Sequence, residues 1–222
     1  MMDVIFDLDG VIIDSSVSVI NRIKEVAKKF NIDVSGRDLK GYIGYSAEYT
    51  FYDLYSYNIC LETKKIATKE AADLMLKLFW ERPIEEATVY SGIEKAIQDL
   101  IIKYGAVLHV VTGRPLNATI ALLNHYKLIR YFSGILSSRK KNKGDVISEL
   151  MTNYDINMND CYFIGDRDLD VKAALDNRII PIGALWGFGS REELIGSGCE
   201  YIAATPSTLI DTVLFVEVEN DN

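Results

Sequence analysis

The sequence predicts an α/β fold: a mostly parallel sheet covered on both faces by helices, with an all-helical unit inserted behind the first strand. Three observations carry this. Short apolar, β-branched runs alternate with helical patterns along the second half of the chain. Roughly seventy residues behind the first run show helical periodicity only. Carboxylates stand directly behind two of the runs, at Asp7 and Asp9 and again at Asp166.

Val4–Phe6 is short, apolar and β-branched, as a buried strand is. From Ser16 the apolar residues Val19, Ile20, Ile23, Val26, Ala27 and Phe30 recur at helical spacing, with Ser15 or Ser16 as the N-cap. Tyr42, Tyr45, Tyr49, Tyr52 and Tyr55 form a further helical stripe, read as packing. Glu62–Arg82 is a long helix stopped by Pro83. Ser91 caps a helix ended by Gly105, and Ala106–Val111 is a strand. Pro115–Tyr126 is helical, with proline in a favoured first-turn position. Phe132–Leu136 reads as a weak strand, Asp145–Asn153 as a helix and Cys161–Ile164 as a buried strand. Asp168–Asp176 (helix), Ile179–Ile182 (strand), Tyr201–Ala203 and Pro206–Phe215 close the series. The expected organisation is a core domain of residues 1–14 and 87–222 and a helical cap domain of residues 15–86, joined by crossings near Ser15 and Glu86.

A chain of 222 residues with 49% hydrophobic residues can bury a sizeable core. It has no fixed-period repeat, and no apolar run reaches the roughly 20 residues that span a bilayer. The start lacks the basic stretch and cleavage site of a signal peptide. Cys60, Cys161 and Cys199 are odd in number, widely separated and without metal-type spacing, so they read as reduced thiols. A cytoplasmic protein is expected, a monomer or homodimer. The formal charge of −8 argues against a nucleic-acid binder but not against a phosphorylated small molecule.

Ligands of open parallel sheets sit beyond the carboxyl ends of the strands. Four such ends here supply Asp7, Asp9 and Gly10; Thr112, Gly113 and Arg114; Asp166 and then Asp170; and the basic stretch Arg139–Lys143. Clustered carboxylates repel unless a cation sits among them. The donors are hard oxygens without His or Cys, which selects Mg²⁺ over zinc. A threonine hydroxyl, backbone N–H groups and a lysine suit phosphate oxygens. Metal, phosphate cradle and an attacking carboxylate are the parts of a phosphoryl-transfer site.

D-L-D-G-V at 7–11, V-V-T-G-R at 110–114, Lys143 and G-D-R-D-L-D at 165–170 resemble, in order, the four motifs of the haloacid dehalogenase superfamily. The insert and the G-A-L-W-G-F-G-S segment at 183–190 resemble its phosphoglycolate-phosphatase-like branch. The resemblance implies a Rossmann-like core with a helical cap, and a Mg²⁺-dependent phosphatase acting on a small phosphorylated metabolite, phosphoglycolate first. It implies Asp7 as nucleophile and Asp9 as general acid and base. Thr112 and the Gly113 N–H would hold phosphate, with Lys143 balancing its charge. The metal would rest on Asp7, Asp9 through its main-chain carbonyl, Asp166 and Asp170, the last as a ligand or as a partner of water or Lys143. Relatives that cleave carbon–halogen bonds lack an acid two residues on, so Asp9 favours phosphate chemistry. The family's proline behind the lysine is missing: the text is R-K-K-N-K-G-D-V-I, with Lys143 chosen for its place at a helix start and Lys140 and Lys141 as alternatives.

Other readings compete. On the same core a phosphomutase of the β-phosphoglucomutase kind or an inorganic pyrophosphatase is possible, and outside enzymes a non-catalytic phosphate- or metal-binding module. Asp7 and Asp9 could cap a helix, but that leaves Asp166 and Asp170 unexplained. Thr112 could be an N-cap, and Asp170 a first-turn acid favoured by the helix dipole. Arg114 could touch phosphate or form a salt bridge. Trp186 and Phe188 could line a cleft or pack a loop. His109 and His125 do not read as catalytic.

Overall fold

The structure, a computed structural model, describes residues 2–55, 60–139 and 141–220. Its centre is β1 (Asp3–Phe6), every residue of which is buried. The side chains alternate, as a pleated strand requires. Val4 and Phe6 enter one apolar layer and Ile5 the other. A strand buried on both faces has no room for polar positions, which is why this segment reads as a continuous apolar run.

Behind β1 come the two-residue strand β2 (Ile13–Asp14) and the helices α1 (Ser16–Lys29), α2 (Ala47–Leu54) and α3 (Leu61–Glu81). The chain returns through β3 (Thr88–Val89), which pairs antiparallel with β2. This small ribbon fastens the two crossings together, and a reading of the segment as purely helical misses it. The three helices bury their own apolar cluster, with Ile23, Phe51, Ala71 and Leu78 at its centre.

The remainder alternates: α4 (Ile93–Tyr104), β4 (Val107–Thr112), α5 (Leu116–His125), β5 (Gly134–Ser137), α6 (Lys143–Tyr154), β6 (Cys161–Gly165), α7 (Asp168–Asp176), β7 (Ile180–Ala184), α8 (Arg191–Gly196), β8 (Tyr201–Ala203) and α9 (Leu209–Asn220). The six main strands form one parallel sheet in the order β5-β4-β1-β6-β7-β8. Helices α4, α5 and α9 cover one face and α6 and α7 the other. The chain steps outward from β1 through β4 to β5, then returns to pair β6 with the other edge of β1. That reversal opens a crevice beyond the carboxyl ends of β1, β4 and β6.

Local details depart from the sequence reading. Ser15 stands at the N-cap of α1 as expected, but its side chain makes no cap bond; Asp14 Oδ1 instead accepts from Ser16 N at 2.9 Å. Gly92 rather than Ser91 stands at the head of α4. The tyrosine stripe does not lie on one helix. Tyr49 and Tyr52 of α2 are exposed, while Tyr55 is buried in the cluster of the helical unit and Tyr42 packs against it.

Candidate active site

Asp7 follows β1 directly, and its amide still donates to Ile164 of β6 at 2.9 Å, so the strand ladder fixes where its side chain begins. Lys143 is the first residue of α6. The Asn142 side chain caps that helix by accepting from Gly144 N at 2.8 Å. The turn sends Lys143 Nζ to Asp7 Oδ1 at 2.8 Å and to Asp170 Oδ1 at 2.5 Å. Lys141 instead pairs with Glu149, and Lys140 lies outside the described residues. Asp170, in the first turn of α7, is saturated. Its Oδ2 accepts from the amides of Asp166 and Arg167, both at 3.1 Å. It therefore caps its own helix while holding Lys143.

Asp166, just past β6, is caged. A Cβ on Gly10 would stand 2.2 Å from its Oδ2, and one on Gly187 2.4 Å from its Cβ. Only residues without a side chain allow this approach, and Gly10, at φ +101°, also needs glycine for its backbone. Asp166 Oδ2 accepts from Phe188 N at 2.7 Å. Its Oδ1 is buried with no hydrogen-bond partner among the described residues. The Gly187-Phe188-Gly189 loop is thus part of the site, and its G-x-G spelling is the signal that could have marked it. Trp186 donates to Val11 O at 3.0 Å and packs on the main core.

The site is charge-rich, and Asp7, Asp166 and Asp170 are buried in it. Burial pushes Asp7 up to about 7, helped by the negative charges of Asp170 and Asp9 and opposed by Lys143. Burial and the same carboxylate neighbours, Asp170 and Asp7, raise Asp166 well above the ordinary range. Burial alone would lower Lys143, but Asp170 and Asp7 outweigh it and raise it. Oxygens of Asp7, Asp166 and Asp170 lie within 4.8 Å of one another. Three acids around one ammonium leave a deficit of positive charge, and the unpartnered Oδ1 of Asp166 faces that deficit. Oxygen donors in this number fit a hard divalent cation.

Asp9 points elsewhere. Its carboxylate sits in the fork of Arg114, Nε to Oδ2 at 3.0 Å and Nη2 to Oδ1 at 2.5 Å. Burial pushes Asp9 up, but the charge and hydrogen bonds of Arg114 outweigh it, and the acid is held below its ordinary value. Arg114 itself is buried, donates to Pro83 O at 3.3 Å and lies 4.9 Å over the ring of Phe79. It is a core residue clamped on the helical unit, not a surface salt bridge. Thr112, the last residue of β4, is buried with Gly113 behind it, and its Oγ1 accepts from Arg114 N at 3.1 Å. A second clamp is Arg167, whose Nε donates to Glu193 at 2.7 Å while Nη1 donates to Ile43 O. Asp7, Asp9, Thr112, Gly113, Lys143, Asp166 and Asp170 all line one cavity of about 500 Å³ between sheet and helical unit. Neither histidine lines it; buried His109 is held by Asp3 at 3.0 Å.

Comparison with known proteins places the chain in a family. The chain is 25% identical over 197 residues to a 5'-nucleotidase of Pseudomonas aeruginosa, covering 86% of each. It is 21% identical over 216 residues to a phosphoglycolate phosphatase of Vibrio vulnificus, covering 94% of each. The crystal structure of a predicted phosphatase from Clostridium acetobutylicum superposes with a TM-score of 0.85 at 34% identity, over 96% of this chain and 98% of that one. The profile described as Haloacid dehalogenase-like hydrolase matches residues 4–183. The chain belongs to the haloacid dehalogenase-like hydrolase family.

Proposed function

We propose that the protein is a Mg²⁺-dependent phosphatase that hydrolyses a small phosphorylated metabolite through an aspartyl-phosphate on Asp7. One observation carries the reading: Lys143 holds Asp7 at 2.8 Å beside the buried, unpartnered Asp166 Oδ1. Asp7 Oδ2 has no hydrogen bond among the described residues, so one oxygen is held while the other is open. Attack of Asp7 on phosphorus forms the acyl phosphate and breaks the bond to the leaving oxygen. Asp9 gives that oxygen its proton, then takes one from the water that releases inorganic phosphate. The Arg114 fork keeps Asp9 ionised, the form that suits the second step, so the contact must loosen before the first. Thr112 Oγ1, the Gly113 N–H and Lys143 hold the phosphoryl oxygens. Asp7, Asp166 and the main-chain carbonyl of Asp9 are the proposed cation ligands, and Asp170 positions Lys143. The bound cation would neutralise the phosphate and polarise it.

Residues 15–86 act as the cap on a core of 1–14 and 87–222. They close the site from water, since the cavity wall is shared between the two. The relatives' names offer two substrate types, phosphoglycolate and a nucleotide. No helix is long and apolar enough to cross a membrane among the described residues. The test is phosphate release from p-nitrophenyl phosphate with and without Mg²⁺, in the wild type and in Asp7→Asn. Release that needs Mg²⁺ and vanishes in the variant is expected; release that survives the substitution refutes the nucleophile.

A further inference from the structure

The cavity has two chemically different walls. The sheet side carries the site. The helical side contributes Val19, Ile43, Met75, Leu76 and Phe79, together with Tyr42, Tyr45 and one charged residue, Glu48. No Lys, Arg or His of the helical unit lines the cavity among the described residues. All lining cations come from the core, and most are already engaged. Lys143 holds Asp7 and Asp170, Arg114 holds Asp9, and Arg167 holds Glu193. Lys141 pairs with Glu149 and Lys172 with Asp168. Among the described residues the remaining one, Arg139, is exposed on the loop behind β5, at the rim on the sheet side and not on the helical roof.

A leaving group that carries its own carboxylate would be pressed under an apolar roof whose charged member is another carboxylate. Burying an ion without a partner is strongly unfavourable, because its hydration is lost and no counter-charge replaces it. An uncharged body meets no such penalty and is favoured in proportion to the apolar surface it covers. Size points the same way. A cavity of about 500 Å³ falls in the range that encloses a drug-sized molecule, far more than a two-carbon acid fills. The roof is also held in register with the chemistry. Phe79 lies under the guanidinium groups of Arg114 at 4.9 Å and Arg22 at 4.6 Å, and Arg114 is the residue that forks Asp9.

We infer that the preferred substrate is the phosphomonoester of an uncharged alcohol with an apolar or aromatic face, larger than a short hydroxy acid. This rests on the phosphatase reading, and Leu76 and Phe79 are its specificity-determining residues. The test compares kcat/KM of the full chain with Mg²⁺ on benzyl phosphate, a nucleoside 5'-monophosphate and phosphoglycolate. The uncharged esters should be turned over at least about tenfold more efficiently than phosphoglycolate. Leu76→Lys, which adds the missing cation to the roof, should move that ratio toward phosphoglycolate by about tenfold or more. Phosphate release with phosphoglycolate equal to or better than both uncharged esters overturns the inference and leaves the phosphatase standing. No release from any ester, p-nitrophenyl phosphate included, overturns both. The wild-type ratio decides the question even if Leu76→Lys does not fold.

Discussion

Removing divalent cation should make the protein less stable as pH rises. Buried Asp7 is raised from 3.8 to about 7. The folded state therefore binds more protons than the unfolded one across that interval, and stability falls with increasing pH. At about 1.4 kcal/mol per unit, the whole displacement is worth about 4 kcal/mol. His109 works in the opposite direction below its ordinary 6.5, because burial lowers it. The window from pH 6.5 to 8 therefore isolates the carboxylates. Roughly 1 kcal/mol of the Asp7 effect falls there, and Asp166, raised by burial and by the charges of Asp170 and Asp7, acts in the same direction. The Asp7 effect alone lowers the metal-free Tm by about 2–4 °C for a chain of this size. The assay is thermal unfolding followed by circular dichroism, with chelator or with excess Mg²⁺, at several pH values. Mg²⁺ binds the ionised carboxylates, so its stabilisation should grow from pH 6.5 to 8. Asp166→Asn removes one titrating group and should flatten the metal-free slope. A metal-free Tm that holds level or climbs across the window would refute the reasoning, as would a Mg²⁺ gain equal at both ends.

Three further outcomes follow from the same geometry. Asp9→Asn should slow turnover of alkyl phosphates by about 10²–10⁴-fold but p-nitrophenyl phosphate far less, since that leaving group needs no proton; steady-state rates on the two ester classes measure the difference. Thr112→Val keeps the shape of a buried residue and removes its hydroxyl, so kcat/KM should drop by about 10–100-fold, the worth of one hydrogen bond to a charged oxygen. Gly187→Ala forces a methyl to 2.4 Å from Asp166 Cβ and 2.6 Å from Gly10 O. It should cost about 1–3 kcal/mol and weaken the Mg²⁺-dependent rise in Tm, whereas Gly196→Ala, with open space around it, should change neither.

Much of the fold was legible because its signals are local. The apolar runs at Val4–Phe6 and Cys161–Ile164 are strands buried on both faces, so the pattern holds no polar residue to confuse it. The helical unit announced itself by periodicity. The short β2–β3 ribbon did not, because two residues are too few to carry a period and its pairing joins positions 76 residues apart, Ile13 with Val89. The acids could be found by position alone, since parallel strands place their carboxyl ends on one rim. Lys143 could be chosen over Lys141 only by its place at a helix start, and the Asn142 cap is the physical reason that place is special.

Residue types and their order along the chain thus determined the layer architecture, the helical insert and which side chains stand at the strand ends. Only the tertiary structure decided how those side chains are aimed. The Arg114 fork on Asp9, the Phe188 amide on Asp166, the three glycines packed against that acid and the apolar roof over Asp7 all join segments distant in sequence. Such contacts depend on how separately formed elements pack. Packing leaves no periodic mark in the chain, because it is set by the shapes of surfaces that meet only after folding.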